Sequence, residues 1–175
     1  LEVVFRLLKK KNKVYFVSCR KGLKTCAPNP FHEDHICNQC IKVTDYTISN
    51  ILPSDVINLD LNLILKRFDC SNISNVGTLL GLFYENMPIG RLVASQLSSD
   101  LKTAYIDISD PLVFSAMNKL IETGIALYEY TRSIINKHDI DEVYAWNGRR
   151  PSDGPCLYAA SSLNKNILIL ISGGK

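Results

Sequence analysis

The chain has 175 residues, 46% hydrophobic and 21% charged, and its 20 Lys and Arg against 17 Asp and Glu leave a formal net charge of +3. That length and composition suit one domain with its own apolar core and exclude a disordered tail or a fibre. The charge excess is too small to call for a nucleic-acid partner, and no apolar run approaches the roughly 18–20 residues of a membrane span. No positively charged and apolar leader pair opens the sequence, so a non-secreted chain is expected. Six cysteines stand out, four of them between Cys19 and Cys40.

Leu1, Val4, Phe5 and Leu8 follow the i, i+3, i+4, i+7 rule of an amphipathic helix, stopped by the basic run Lys9–Lys11 and Asn12. Residues 14–18 (VYFVS) predict a buried strand. Gly22, Pro28 and Pro30 make residues 20–31 a loop. Short helices are expected over 35–47, over 54–66 with Ser54 as cap, and over 76–83; residues 87–90 break the chain before a helix over 91–101. Asp110 as N-cap and Pro111 in the first turn open a long helix to His138, with an apolar face running from Leu112 to Ile135. A strand over 142–146 (EVYAW), a helix over 155–163 and a strand over 167–171 complete the chain.

Helix, strand, helix, strand at this pacing predicts βαβ units, and hence one α/β domain over 1–175 with a parallel sheet flanked by helices on both faces. Both ends fall inside that alternation, so the chain reads as a piece of a longer polypeptide. In such a sheet, ligands gather at the carboxyl ends of strands. The cysteine segment, residues 147–154 and residues 172–175 each follow a predicted strand, and are expected to emerge on one edge.

The cysteine order is Cys19-x6-Cys26-x10-Cys37-x2-Cys40. A Cys-x2-Cys turn brings two thiolates to one tetrahedral centre, and four thiolates close the sphere of a structural zinc. Two disulfides, an iron–sulfur cluster or unligated thiols are the alternatives. His32 and His35 either replace a thiol or are solvated loop residues. Cys70 and Cys156 read as small buried hydrophobes.

Asn147-Gly148 directly after a strand predicts a sharp turn with positive φ. Arg149 and Arg150 follow, and Ser152 or Asp153 would cap the next helix. Two arginines beside helix amides make a candidate phosphate or anion site; solvated rim charges are the alternative. The segment matches neither dinucleotide nor Walker fingerprints, and Ser172-Gly173-Gly174-Lys175 lacks the residues and helix of a phosphate loop. Asp107 and Asp110 read as turn and cap residues.

Three blocks carry a resemblance: Val143-Tyr144-Ala145-Trp146-Asn147-Gly148-Arg149, the loop from Cys19 to Cys40 with its Asn29-Pro30-Phe31, and Ile89-Gly90-Arg91-Leu92-Val93-Ala94-Ser95. Together they resemble the amino-terminal half of capsule and surface-polysaccharide biosynthesis proteins of bacteria, which have the two-domain fold of GT-B glycosyltransferases. Arg150-Pro151 departs from that pattern, where small or polar residues are commoner. The resemblance implies a Rossmann-like, acceptor-side domain that works in the cytoplasm, peripherally at the inner face of the membrane. It implies a glycan acceptor as partner and a nucleotide-sugar bound mainly by a carboxyl-terminal donor-binding domain.

The chemistry implied is transfer of a sugar to an acceptor hydroxyl, a poor nucleophile that needs a general base. His32 and Asp34 rank first for that role, ahead of Glu33, His35 and Asp153. Asn147, Gly148, Arg149, Arg150 and Arg91 would meet acceptor or phosphate, a structural ion pair being the alternative for Arg91. A zinc-stabilised module that binds a nucleotide or a protein without catalysis is the competing reading.

Overall fold

The computed structural model describes residues 2–170. Their elements run α1 (Glu2–Lys9), β1 (Tyr15–Ser18), α2 (Asp34–Asn50), β2 (Ile57–Asp60), α3 (Val76–Leu80), α4 (Ile89–Leu101), α5 (Pro111–His138), β3 (Glu142–Trp146), α6 (Gly154–Ser162) and β4 (Asn166–Leu170). Two compact units divide the chain. The first takes the residues up to Leu23 and then Phe31–Asn62; the second takes Lys24–Pro30 and the chain from Leu63 onward.

In the first unit β1 and β2 pair in parallel, from Tyr15 opposite Ile57 to Ser18 opposite Asp60. The helix expected over 54–66 is replaced by this strand and a following irregular stretch. Ile57 N–H donates to Val14 O at 2.9 Å and Leu61 N–H to Ser18 O at 2.8 Å, so the backbone partners of the segment come from far upstream. Ser54 caps no helix, because Val56 N–H closes a turn on Pro53 O instead. The buried-strand reading of residues 14–18 is also too strong. Val14 and Ser18 are buried, but Val17 is 44% exposed. Neither α1 nor α2 has a fully buried residue, so this unit has a thin core.

The second unit holds the main core, with Leu79, Met87, Ile89, Val93, Met117, Ile121 and Tyr128 all fully buried. Its centre is α5, buried on every side through the six consecutive residues Thr123–Tyr128. The expected start of α5 is present: Asp110 Oδ1 accepts from Leu112 N–H at 2.7 Å, with Pro111 in the first turn. Its apolar face begins later than expected, since Leu112 is 80% exposed. Gly124 lets the side chains of Ile89, Pro151 and Pro155 lie against α5; a Cβ there would stand 2.5 Å from Ile89 Cδ1.

β3 and β4 pair in parallel through α6, Glu142 opposite Asn166 to Trp146 opposite Leu170, which is the βαβ unit the alternation predicts. The class is α/β with parallel strands. The broad Rossmann-like sheet is not what the described residues form: they make two two-stranded sheets, because the chain between β2 and β3 is helix and turn. Leu1 of the first helical face, Ile171 at the end of the last strand, and the loop 172–175 lie outside the described residues. Among the described residues no helix is long and apolar enough to cross a membrane.

Candidate functional site

The most organised candidate is the loop between β3 and α6. Asn147 and Gly148 have φ of 62° and 74°, the positive values expected of an Asn-Gly pair after a strand. Asn147 N–H still donates to Leu170 O at 3.0 Å, so the turn starts from the last rung of the sheet. Gly148 N–H then folds back on Trp146 O at 2.7 Å. Packing fixes the turn from beneath, because a Cβ on Gly148 would stand 2.4 Å from Leu157 Cδ1.

Arg149 is exposed, and its Nε donates to Asn147 Oδ1 at 3.0 Å. The guanidinium is thereby pinned at one nitrogen, and its two terminal amino groups form no ion pair among the described residues. Arg150 is placed differently. It is half-buried and lies within electrostatic reach of both Asp100 and Asp153, which offset its charge.

The amides at the start of α6 are spent inside the loop. Arg150 N–H donates to Asp153 Oδ1 at 3.0 Å, Gly154 N–H to Arg150 O at 2.8 Å, and Cys156 N–H to Asp153 O at 3.3 Å; Pro155 has none to offer. Asp153 stands at the N-cap but its side chain turns back to Arg150 rather than into the helix. An amide cradle for phosphate is therefore not formed, and Arg149 is the exposed cationic group of the loop. Burial pushes the Asp153 carboxyl up, against the backbone hydrogen bonds of Arg150 and Gly154 and the nearby arginines.

Sequence reading missed Asp100, which reaches Arg150 of this loop electrostatically from α4, and Gln96, which holds Asp100. Gln96 is buried and its Nε2 donates to Asp100 Oδ1 at 2.6 Å. Burial raises the Asp100 carboxyl, with Gln96 and Arg150 pulling the other way. The i, i+4 spacing of Gln96 and Asp100 was visible on a predicted helix, but the reach of Asp100 to Arg150 was not. Arg91, in the first turn of α4, is exposed and makes no hydrogen bond or ion pair through its side chain among the described residues.

His32 and Asp34 lie in the first unit, at the entry to α2. His32 has φ of 55°, and its Nε2 is buried without a hydrogen-bond partner. Asp34 is bonded to Lys21 Nζ at 2.9 Å, and that bond holds its carboxyl below the usual range, helped by the charges of Lys21 and His32. A carboxylate so held is a weakened base. A second network closes the carboxyl ends of β1 and β2: Asp60 Oδ1 accepts from Ser18 Oγ at 3.0 Å, from Arg20 Nε at 3.2 Å and from Asn58 Nδ2 at 3.2 Å. Arg20 also pairs with Asp45 at 2.5 Å, so its charge is occupied.

The four cysteines expected to hold zinc are shared between the units, Cys19, Cys37 and Cys40 in the first and Cys26 in the second. Among the described residues no group of three or more His, Cys, Asp or Glu side chains is placed to hold a metal ion. Cys70 is the buried hydrophobe expected, 4% exposed with its thiol pushed up to about 11, chiefly by burial. Cys156 packs between α5 and α6 with Thr131 Oγ1 3.4 Å from its sulfur. Comparison with family models, curated proteins and solved structures finds no match.

Proposed function

We propose that the chain is the acceptor-binding half of a glycosyltransferase that moves a sugar from a nucleotide-sugar to a growing surface polysaccharide. The observation that carries this reading is the Asn147–Gly148–Arg149 turn. It sits at the carboxyl end of a parallel strand, carries the motif of the resemblance, and fixes a guanidinium at Nε while leaving its two terminal amino groups for a ligand. A planar fork held in this way suits a phosphate or carboxylate on a glycan acceptor.

Asp153, in the same loop, is the better base for the acceptor hydroxyl than Asp34. Burial raises its proton affinity, whereas the ion pair with Lys21 lowers that of Asp34. In the proposed step the acceptor oxygen bonds the anomeric carbon, the bond from that carbon to the diphosphate breaks, and the hydroxyl proton passes to Asp153. The leaving diphosphate belongs to the donor-binding domain. The reading implies a cytoplasmic site at the inner face of the membrane.

A non-catalytic binding module is the second reading, favoured by the engagement of Asp34 with Lys21. The deciding experiment is transfer of labelled sugar from a panel of nucleotide-sugars to a glycan acceptor, by the polypeptide that joins this chain to a donor-binding domain. Arg149→Ala is expected to raise the acceptor KM about tenfold or more. Asp153→Asn is expected to lower kcat by about a hundredfold. Acceptor binding with no transfer by the unaltered protein would favour the module, and transfer unchanged by both substitutions would overturn the proposal.

A further inference from the structure

At the opposite end of α6 from the Asn147 turn, an open depression of about 320 Å³ is lined by Glu85, Asn86, Tyr128, Arg132 and Ser162. That volume is at the low end for small-molecule sites. Its floor is fixed. Tyr128 is fully buried, and its hydroxyl donates to Asn86 Oδ1 at 2.9 Å. Asn86 Nδ2 in turn donates to Tyr158 O at 3.3 Å. The Tyr84 ring meets Tyr128 edge-on, with centroids 5.7 Å apart, and its hydroxyl donates to Glu129 Oε1 at 3.0 Å. The hairpin that presents Glu85 and Asn86 is closed by both backbone bonds between Tyr84 and Met87.

Arg132 lies over the Tyr128 ring, 5.6 Å from its centroid, and forms no ion pair among the described residues. Stacking preorganises a guanidinium without spending its hydrogen bonds. The carbonyls at the nearby end of α6 do not consume it either. Tyr158 O is taken by Asn86, Ala159 O by Ser162 Oγ at 2.8 Å, Ala160 O by Leu163 and Lys165 N–H, and Ser161 O by Asn164 N–H. Those bonds also quench the negative end of the helix.

The remaining hydrogen-bond capacity defines a ligand. Arg132 and the second amide proton of Asn86 are donors. Ser162 has given its proton to Ala159 O and offers lone pairs, and the Glu85 carboxylate accepts only. An apolar guest would strand all four groups. A doubly charged phosphate would meet the negative charge of Glu85, whereas a single carboxylate is matched by Arg132. We infer that this depression binds a small carboxylate that carries hydroxyl groups, a sugar acid or hydroxy acid, with its carboxylate on Arg132 and Asn86 and its hydroxyls on Glu85 and Ser162. The inference is independent of the reading of the Asn147 turn.

The test is calorimetric titration of the 175-residue chain with glucuronate, glucose, acetate and inorganic phosphate. Saturable binding of glucuronate at one site is expected, at least about tenfold tighter than any of the other three. Arg132→Gln should weaken it about tenfold or more, and the control Lys137→Gln, on the same helix, should not. Asn86→Asp keeps the acceptor that Tyr128 needs and sets a negative charge against the ligand, so it should weaken binding likewise even if Arg132→Gln fails to fold. Amide and side-chain NMR shifts on adding glucuronate should centre on Asn86 and Arg132. No saturable binding, preference for phosphate or glucose, binding unchanged by Asn86→Asp, or shifts centred elsewhere would each overturn the inference.

Discussion

Gly148 shows how one residue holds the candidate site. At φ of 74° an L side chain is strained, and a Cβ would also press on Leu157 Cδ1. Gly148→Ala is therefore expected to destabilise the second unit by about 1–3 kcal/mol, read as a shift in the urea midpoint with unchanged slope. This turn was legible, since Asn-Gly after a β-rich run carries its own conformational preference. Asp107 and Asp110 were legible for the same reason: Asp107 Oδ1 accepts from Ser109 N–H at 3.0 Å within a turn, and Asp110 caps α5. The fate of Asp34 was not legible. Nothing local in the sequence tells that Lys21 takes its carboxylate, or that Asp100 reaches the charge of Arg150.

Among the elements, α5 was read to the residue because its signals are local: a capping aspartate, a first-turn proline and a long apolar period. β3 and β4 were legible as β-branched and aromatic runs on either side of a small-residue helix. β2 was not. Its four residues are too few for a period, and their hydrogen bonds come from β1 across the intervening α2. Gly90 was read as a break, yet it lies inside α4. Its role is packing, since a Cβ there would fall 1.6 Å from the backbone oxygen of Leu79 at the end of α3. The obstacle is main chain, so no side chain can swing aside. Gly90→Ala is expected to cost about 3 kcal/mol or more. Thermal unfolding by circular dichroism measures it, and a melt unchanged from the parent chain would count against the α3–α4 contact.

For the molecule as a whole, carboxylates are perturbed in both senses: the first unit holds Asp60 low, and the second raises Asp100 and Asp153 while hydrogen bonds from Ser71 and Ser109 hold Asp69 and Asp107 low. In the first, hydrogen bonds from Ser18 and then the charge and bonds of Arg20 hold Asp60 below the usual range, against a cost of desolvation. Its stabilisation is present above the unfolded value of about 3.9 and is lost as pH falls through the lower folded value. In the second, burial raises Asp100 and Asp153. Their contribution is fully present below about 3.9 and is lost as pH rises through the raised folded values. Acid thus removes the contribution of Asp60 and relieves Asp100 and Asp153. Asp60→Asn should be less stable than the parent chain at pH 7, with the difference closing by about pH 2; urea titrations at the two pH values measure it, and a gap independent of pH would contradict the role of Asp60.

The sequence by itself determined the α/β class, the main helix, the βαβ unit at 142–170 and the positive-φ turn at Asn147, because each follows from backbone preference and short-range periodicity. Only the tertiary structure decided that β2 is a strand, that the four cysteines divide between two units, that Arg150 comes within electrostatic reach of Asp100 as well as Asp153 while Arg149 shares Asp153 alone, and that Arg132 lies over Tyr128 beside Asn86. Those facts depend on which distant groups meet, and burial and electrostatic pairing act on proximity in space, which spacing along the chain does not encode.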